Sequence, residues 1–247
     1  MRYFIDLSYS GTNFHGWQIQ KNALGVQQVL EEKLSMILKE KIELIASGRT
    51  DTGVHARRQV AHFDTLQPFS DELLFRINHV LPRDIAINSF RLVRPDSHAR
   101  FDALYREYEY RVSTIKNPFA YGRSWQFTKE LDVEAMNEAA ASLLKYEDFE
   151  CFSKTRTHVK TFRCTITHAA WEKRQDHRLV FRIRANRFLR GMVRAIVGTM
   201  IDIGLGKKNL ADFEEIIMSR DRGKAGAAAP PEGLYLVDVG FPKEVYV

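Results

Sequence analysis

The sequence predicts an α+β fold of two tandem ferredoxin-like halves, with mainly antiparallel sheets and a central cleft between the halves. The main observation is that the order strand, helix, strand, strand, helix, strand occurs twice along the chain. A second observation is composition, because 247 residues with 45% apolar and 28% charged side chains can bury a core in each half. No low-complexity linker divides the chain, so periodicity places the boundary between residues 1–102 and residues 103–247.

Six elements are predicted in the first half. In order they are a strand at 3–9, a helix at Val26–Leu38, strands at 42–46 and 59–63, a helix at Asp71–Val80 and a strand at Ile85–Val93. The first helix is indicated by Val29, Leu30 and Leu34, which recur on one helical face. The second helix follows Ser70, a residue type that caps helix N-termini.

The second half repeats this order with one extra helix. Its elements are a strand at 105–114, a helix at 133–144, strands at 161–171 and 179–185, helices at 188–205 and 209–218, and a strand at 234–241. Asp132 precedes the first helix as a cap, and Gly204 or Gly206 ends the second. The polar residues 172–178 predict a hairpin between the two middle strands.

Several classes of protein are excluded by simple patterns. The longest apolar stretch, residues 192–205, is interrupted by Arg194 and Asp202, so no membrane span is expected. The first residues reach Asp6 before an apolar core forms, which is atypical of a signal peptide. Two cysteines are too few for a disulfide framework or a cysteine zinc site. We therefore expect a cytoplasmic protein without a metal centre.

The positive charge is concentrated in one segment. Residues 154–194 contain 12 lysines and arginines against two acids, a net charge of +10, whereas the whole chain carries +6 and the remainder therefore −4. Such a region is typical of a polyanion-binding protein, although solvated side chains on exposed strands are the alternative. Arginine outnumbers lysine nine to three, which favours phosphate recognition.

The most unusual stretch is residues 48–56, which join two predicted strands. Asp51 is flanked by Thr50 and Thr52 and lies two residues after Arg49. An aspartate followed closely by glycine often makes only a tight turn. A nearby cation, however, keeps a carboxylate ionised, which suits a nucleophile or an electrostatic partner better than a proton donor.

Three other chemistries are conceivable for this loop. An aspartic protease needs two carboxylates that share a proton, and only one Asp-Thr-Gly occurs. Asp51, His55 and His62 could be metal ligands, but they lack a metal-binding spacing, and His62 is better explained as a partly buried strand residue. Nucleotide hydrolysis is disfavoured because the phosphate-binding glycine-rich loop is absent.

Five motifs in order carry a resemblance to a known family. They are residues 9–20 with Val26 and Gln27; residues 48–56; residues 98–103 with Arg106, Tyr108 and Tyr110; residues 186–194 with 196–198; and residues 229–230 with 233–236. In these motifs the sequence resembles the tRNA pseudouridine synthase A family. Two positions depart from it: Asp102 stands where many members have serine, and Tyr105 where many have a small residue.

The resemblance implies a pseudouridine synthase fold and a specific reaction. Members isomerise uridine to pseudouridine in the anticodon arm of tRNA, at nucleotides 38, 39 and 40. They need no cofactor and no metal, and they work as homodimers. The partner implied for this chain is therefore tRNA, bound by two copies of the protein.

The resemblance also implies roles for individual residues. Asp51 is implied to be the nucleophile, which attacks either the ribose C1′ or the uracil C6. Arg194 resembles the arginine that pairs with the catalytic aspartate, and Arg49 is a second candidate partner. Tyr108 resembles the tyrosine that stacks on the target base; on sequence alone it could equally be a core residue of its strand.

The target base must leave its stem before Asp51 can reach it. Stacking and phosphate contacts would offset that cost. The residues that we expect to contact RNA are Arg58, Lys154, Arg156, Lys160, Arg187 and Arg190. Two other hypotheses stay open at this stage, an RNA-binding module of the same fold without catalysis and a hydrolase built on Asp-Thr-Gly.

Overall fold

The computed structural model describes residues 1–155 and 159–247 and shows the expected α+β fold. The helices are α1 (Val26–Leu38), α2 (Asp71–Val80), α3 (Val133–Ser142), α4 (Met192–Gly204) and α5 (Leu210–Ser219). The strands are β1 (Arg2–Tyr9), β2 (Ile45–Ala46), β3 (His55–Asp64), β4 (Ile85–Val93), β5 (Tyr105–Ser113), β6 (Trp125–Gln126), β7 (Ile166–Arg174), β8 (Arg178–Ala185) and β9 (Leu234–Gly240). Within the described ranges, every helix is too short or too polar to cross a membrane.

The chain forms two compact units. Unit 1 comprises Met1–Tyr105 and Tyr235–Val247, and unit 2 comprises Arg106–Leu234. The C-terminal strand therefore lies with the N-terminal unit, whereas the predicted boundary after residue 102 groups it with the second half. A periodicity argument finds strands but does not say which edge a strand will join.

Unit 1 has the strand order β4, β1, β3. The β1–β3 and β1–β4 pairs are antiparallel. Both β2 and β9 pair with β3: β2 is antiparallel, with Ile45 opposite His62, and β9 is parallel, with His55 opposite Tyr235. The order β4, β1, β3, β2 is that of a ferredoxin-like unit.

Helix α1 begins and ends at the predicted residues, and its predicted apolar face contains the buried Leu30 and Leu34. Helix α2 also matches its prediction, and the Ser70 side chain accepts a hydrogen bond from the backbone N–H of Leu73. The helical period of the apolar residues was therefore sufficient to place both helices.

Unit 2 has the antiparallel strand order β5, β8, β7, and the short β6 runs parallel to the end of β5. Its core includes the fully buried Tyr110 and Phe181 and the nearly buried Trp171, whose ring lies 5.1 Å from that of Phe181. The Tyr110 hydroxyl donates to the carbonyl of Pro230, and burial raises its pKa.

Two predicted boundaries in unit 2 were wrong. Helix α4 begins at Met192 and not at residue 188, because Gly191 has a left-handed backbone, with φ of 72°, which breaks the helical path. Strand β7 begins at Ile166 and not at residue 161. In both cases the apolar pattern extends into a loop that packs against the core.

His62 is a strand residue, as expected, and it is fully buried where partial burial is predicted from the sequence. It lies in β3 with 3% of its surface exposed, and its Nδ1 accepts a hydrogen bond from the backbone N–H of Ala99. Its ring centroid lies 4.5 Å from that of His98. Burial, and secondarily the neighbouring His98, lowers the pKa of His62 to about 4.

The lowered pKa of His62 predicts that the folded state loses stability in acid. In the unfolded chain the pKa of His62 is about 6.5, so the folded state favours the neutral ring. The resulting stabilisation is complete above about pH 6.5 and is lost as the pH falls towards about 4, by a total on the order of 3 kcal/mol. We expect His62→Gln to reduce the fall in unfolding free energy between these pH values, measured by urea denaturation. His168→Gln, at an exposed site in β7, is the matched control; an unchanged pH dependence in His62→Gln would contradict this expectation.

Candidate active site

The loop that carries Asp51 is held by the N-terminal motif through backbone hydrogen bonds. The N–H of Trp17 donates to the carbonyl of Thr50 over 3.2 Å, and the N–H of Gly53 donates to the carbonyl of Phe14 over 3.3 Å. The hydroxyls of Tyr9 and Thr50 lie 2.8 Å apart and are buried. Residues 9–17 therefore fix the backbone on both sides of Asp51.

Two glycines allow this close packing. A Cβ at Gly11 would lie 2.0 Å from the carbonyl oxygen of Val54. A Cβ at Gly16 would lie 2.5 Å from the carbonyl oxygen of Thr50, and Gly16 also has a φ of +87°. Only glycine satisfies both conditions at position 16 without strain.

His55 is the first residue of β3 and anchors the other end of the loop. Its Nδ1 accepts a hydrogen bond from the backbone N–H of Gly11 over 3.1 Å. Its ring stacks on Tyr235, with the centroids 4.5 Å apart and an angle of 18° between the planes. His55 thus joins the N-terminal motif, the Asp51 loop and the C-terminal motif.

The hypothetical metal site made of Asp51, His55 and His62 does not form. His55 and His62 lie at opposite ends of β3, and seven residues of extended strand span about 23 Å. The Nδ1 of each ring accepts a backbone hydrogen bond. Among residues 1–155 and 159–247, no group of three or more potential ligands is placed to hold a metal ion.

Asp51 remains accessible although its backbone is fixed. Its side chain is half-buried, Arg49 is exposed, and Thr50 between them is buried. The backbone N–H of Val54 donates to the carbonyl of Asp51, which closes the turn. The turn suggested by the Asp-x-Gly pattern is therefore present, and it presents the carboxylate at a defined position.

Tyr108 lies in β5 of unit 2, with 9% of its surface exposed. Its ring contacts that of Phe188 edge to face, with the centroids 5.1 Å apart. Arg106, two residues earlier, donates from Nη1 to the carbonyl of Asn186. The strand and the loop at residues 186–191 are thus brought together, and Phe188 is a neighbour of Tyr108 that the sequence analysis did not identify.

Arg194 lies in the first turn of α4 and is half-buried. Its Nε donates to the carbonyl of Ala229 over 2.6 Å, and the N–H of Ala229 donates back to the carbonyl of Arg194. Gly198 makes this possible, because a Cβ there would lie 1.7 Å from the carbonyl oxygen of Ala227. The motif at residues 229–230 therefore orients the Arg194 side chain.

The predicted RNA-contacting residues of unit 2 cluster in part. The backbone N–H of Lys154 donates to the carbonyl of Arg190, so these two residues are neighbours. Lys154, Lys160 and Arg190 are exposed, and Arg187 is half-buried. Arg156 lies outside the described residues.

Much of the basic segment is neutralised by carboxylates. Five of its arginines form ion pairs, namely Arg163 with Glu147, Arg174 with Glu172, Arg178 with Asp176, Arg182 with Glu109, and Arg184 with Glu107. Three of these carboxylates lie outside residues 154–194. The charge of +10 counted along the sequence therefore overstates the charge that the folded surface presents.

Arg58 has a different environment from the other predicted RNA contacts. Its Nε donates to Asp6 over 2.7 Å and its Nη1 to Asp238 over 2.5 Å. Burial opposes its charge, but the two carboxylates raise the pKa of Arg58 overall. An RNA contact by Arg58 stays a prediction. An RNA phosphate would have to compete with Asp6 and Asp238 for the Arg58 guanidinium.

The two positions that depart from the family pattern have structural roles. The Tyr105 hydroxyl donates to Asp238 over 2.7 Å, and Gly240 provides its space, because a Cβ there would lie 2.1 Å from the ring. The Asp102 side chain accepts from the backbone N–H of His98 and closes the turn between them. Neither contact involves the Asp51 loop.

The chain is similar over most of its length to proteins of a known family. A family profile described as "tRNA pseudouridine synthase" matches residues 7–102 and 139–242. Proteins named "tRNA pseudouridine synthase A" from Bacteroides fragilis and Parabacteroides distasonis are each 47% identical over 247 residues, which cover 99% of this chain and 98% of theirs. One from Porphyromonas gingivalis is 47% identical over 250 residues, 100% of this chain and 99% of its own.

These matches define a class of enzyme that modifies RNA. The chain belongs to the tRNA pseudouridine synthase family, and it is thus an isomerase that acts on tRNA. The resemblance drawn from the sequence motifs is confirmed, and so is the pseudouridine synthase fold. Tyr108 lies in the stretch 103–138, which the family profile does not match. The role predicted for Tyr108 is therefore supported by its sequence motif and not by the profile match.

Gly16 provides a test of how the Asp51 loop is held. We expect Gly16→Ala to lower the free energy of unfolding by about 1–3 kcal/mol, because the methyl group would meet the Thr50 carbonyl and the backbone would be strained. Gly48→Ala is the matched control, since a Cβ there meets nothing within 4 Å, and it should change stability by less than about 0.5 kcal/mol. Thermal and urea denaturation measure both; equal effects would contradict the assigned packing.

Proposed function

We propose that this protein isomerises uridine to pseudouridine at nucleotides 38, 39 and 40 in the anticodon arm of tRNA, with Asp51 as the nucleophile. The proposal rests on the conformation of the Asp51 loop. Its backbone is fixed by Trp17, Phe14 and Tyr9, while Asp51 itself stays partly exposed. A nucleophile needs this combination of fixed position and access to the substrate.

The reaction rearranges one bond and leaves the composition of the nucleotide unchanged. The bond between the ribose C1′ and uracil N1 breaks, the uracil turns, and a bond forms between C1′ and C5. The proton at C5 is lost and N1 gains one. Asp51 forms a transient adduct at either C1′ or C6 and leaves again, and no cofactor or metal enters this scheme.

We assign the other predicted site residues to binding the substrate. Tyr108 would stack on the flipped uracil, and its edge-to-face contact with Phe188 would hold its ring in place. Arg194, oriented by Ala229, would pair with the Asp51 carboxylate. Arg49 is the second candidate for that pairing.

The remaining parts of the proposal concern the partner and its location. Lys154, Lys160, Arg187 and Arg190 would contact tRNA phosphates, because the family acts on a polyanion and the side chains of Lys154, Lys160 and Arg190 are exposed. Arg58 and Arg156 are further candidates. We propose a cytoplasmic homodimer that binds tRNA.

Asp51→Asn should abolish the reaction but preserve RNA binding. The amide keeps the size and polarity of the side chain but cannot act as a carboxylate nucleophile. Release of tritium from uracil C5 of an unmodified tRNA measures turnover, and filter binding measures affinity. We expect no release above background and an affinity within about threefold of the wild type.

Two outcomes would contradict this assignment. If the affinity of Asp51→Asn collapsed together with turnover, Asp51 would be a structural residue of the loop. If the wild type bound tRNA but released no tritium, the chain would be an RNA-binding module. Wild-type turnover that persists with a chelator present would support the reaction without metal.

The basic residues are tested by the salt dependence of binding. Each phosphate contact contributes roughly 0.7–0.9 to the slope of log affinity against log salt. Arg187→Ala/Arg190→Ala should therefore reduce the slope by about 1–2. Arg163→Ala is the control because that arginine pairs with Glu147 and is exposed. An unchanged slope in the double variant would remove Arg187 and Arg190 from the phosphate contacts.

A further inference from the structure

A second surface in unit 2 has the composition of a nucleic-acid contact. The loop at residues 114–124 leaves the end of β5 and returns at β6, which pairs with β5 at Val112 and Trp125. It contains Lys116 and Arg123 and two large aromatic residues, but no acid. None of the motifs that support the proposed function includes this loop.

The two aromatic side chains are almost completely exposed. Phe119 has 92% of its surface in solvent and Tyr121 has 90%. Isolated apolar residues on a surface are common, but two neighbouring exposed aromatics in one loop form a patch. Such a patch costs solubility without stabilising the fold, which indicates an external partner.

The loop is also ordered by its own hydrogen bonds. The Asn117 side chain accepts from the N–H of Phe119 over 3.0 Å, and the Asn117 carbonyl accepts from the N–H of Ala120. The Ser124 hydroxyl donates to the carbonyl of Ala120. Pro118 fixes one further backbone dihedral angle within this turn. The aromatic rings are therefore presented outward from a pre-formed turn, which reduces the entropy cost of binding.

The base of the loop adjoins a groove with an excess of cations. Thr114 donates from both its N–H and its hydroxyl to the carbonyl of His177, which joins the loop to the β7–β8 turn. The groove there has a volume of about 540 Å³. Its charged lining residues are Lys129, Lys173, Arg174 and Arg178 against Glu130 and Asp176. Arg174 and Arg178 pair with Glu172 and Asp176, so Lys129 and Lys173 are the cations of this groove that we assign to an anionic partner.

We propose that residues 114–124 form a second tRNA contact, in which Phe119 and Tyr121 stack on unpaired nucleobases and the neighbouring cations contact phosphates. This inference rests on the proposed function, which supplies the RNA. Aromatic rings bind unpaired bases irrespective of sequence, and lysine and arginine provide the phosphate contacts.

The position of the loop gives it a role distinct from catalysis. It follows the last residue of β5, whereas Arg106 and the Asn186 loop lie at the start of that strand. Eight residue steps of strand span about 26 Å. The loop would therefore select or orient tRNA in this protein without touching the reacting nucleotide.

The test is the double variant Phe119→Ala/Tyr121→Ala, measured with an unmodified tRNA transcript and with a blunt RNA duplex. We expect its Kd for tRNA to rise about tenfold or more, because each stacked base contributes that order of affinity. The Kd for the duplex should change less than about twofold, since it offers no unpaired bases. The rate of tritium release at saturating enzyme should stay at the wild-type value.

Phe75→Ala is the matched control, an aromatic residue that is 66% exposed on α2 in unit 1. Its tRNA affinity should match that of the wild type. Sedimentation velocity reports whether the loop joins two copies of the chain. A changed oligomeric state in the double variant, with or without weaker tRNA binding, would overturn the proposal, as would an unchanged Kd for tRNA. Failure of the proposed function would be seen separately, as absence of tritium release in the wild type.

Discussion

The packing of residues 9–17 against the Asp51 loop is the constraint on which the candidate site depends. A loop that joins two strands would by itself sample many conformations, and its ordering costs on the order of 1–2 kcal/mol per residue. The backbone hydrogen bonds from Trp17 and to Phe14, and the buried pair of Tyr9 and Thr50, offset that cost. Glycine at positions 11 and 16 is what allows the two segments to approach.

The same constraint explains why distant parts of the sequence act together. His55 accepts from Gly11 and stacks on Tyr235, so a single ring links residues from the start, the middle and the end of the chain. In unit 2, Ala229 holds Arg194 in an equivalent way, with hydrogen bonds in both directions. The motifs that contain these residues are therefore of two kinds, those that carry the proposed site residues and those that hold them in position.

Local patterns predicted the parts of the fold that depend on local physics. The limits of α1 and α2 followed from the helical period of apolar residues and from the Ser70 cap. The start of α4 did not, because the left-handed conformation of Gly191 is set by its surroundings. The pairing of β9 with β3 also depends on contacts distant in sequence. The Asp51 loop was found from its residue types, but Phe188 and the stacking of His55 on Tyr235 needed the structure.

The pairing of charges is another property that local sequence patterns do not predict. The sequence places Arg182 and Arg184 in a segment that is almost free of acids, which suggests a continuous basic surface. The strands β5 and β8 are antiparallel, however, and their register sets Glu109 opposite Arg182 and Glu107 opposite Arg184. Opposite charges on facing strand positions attract each other and compete with any phosphate. We therefore place the proposed tRNA contacts in loops, away from the paired faces of β5 and β8. Both the Arg187–Arg190 region and the aromatic loop at 114–124 are such places, at opposite ends of β5.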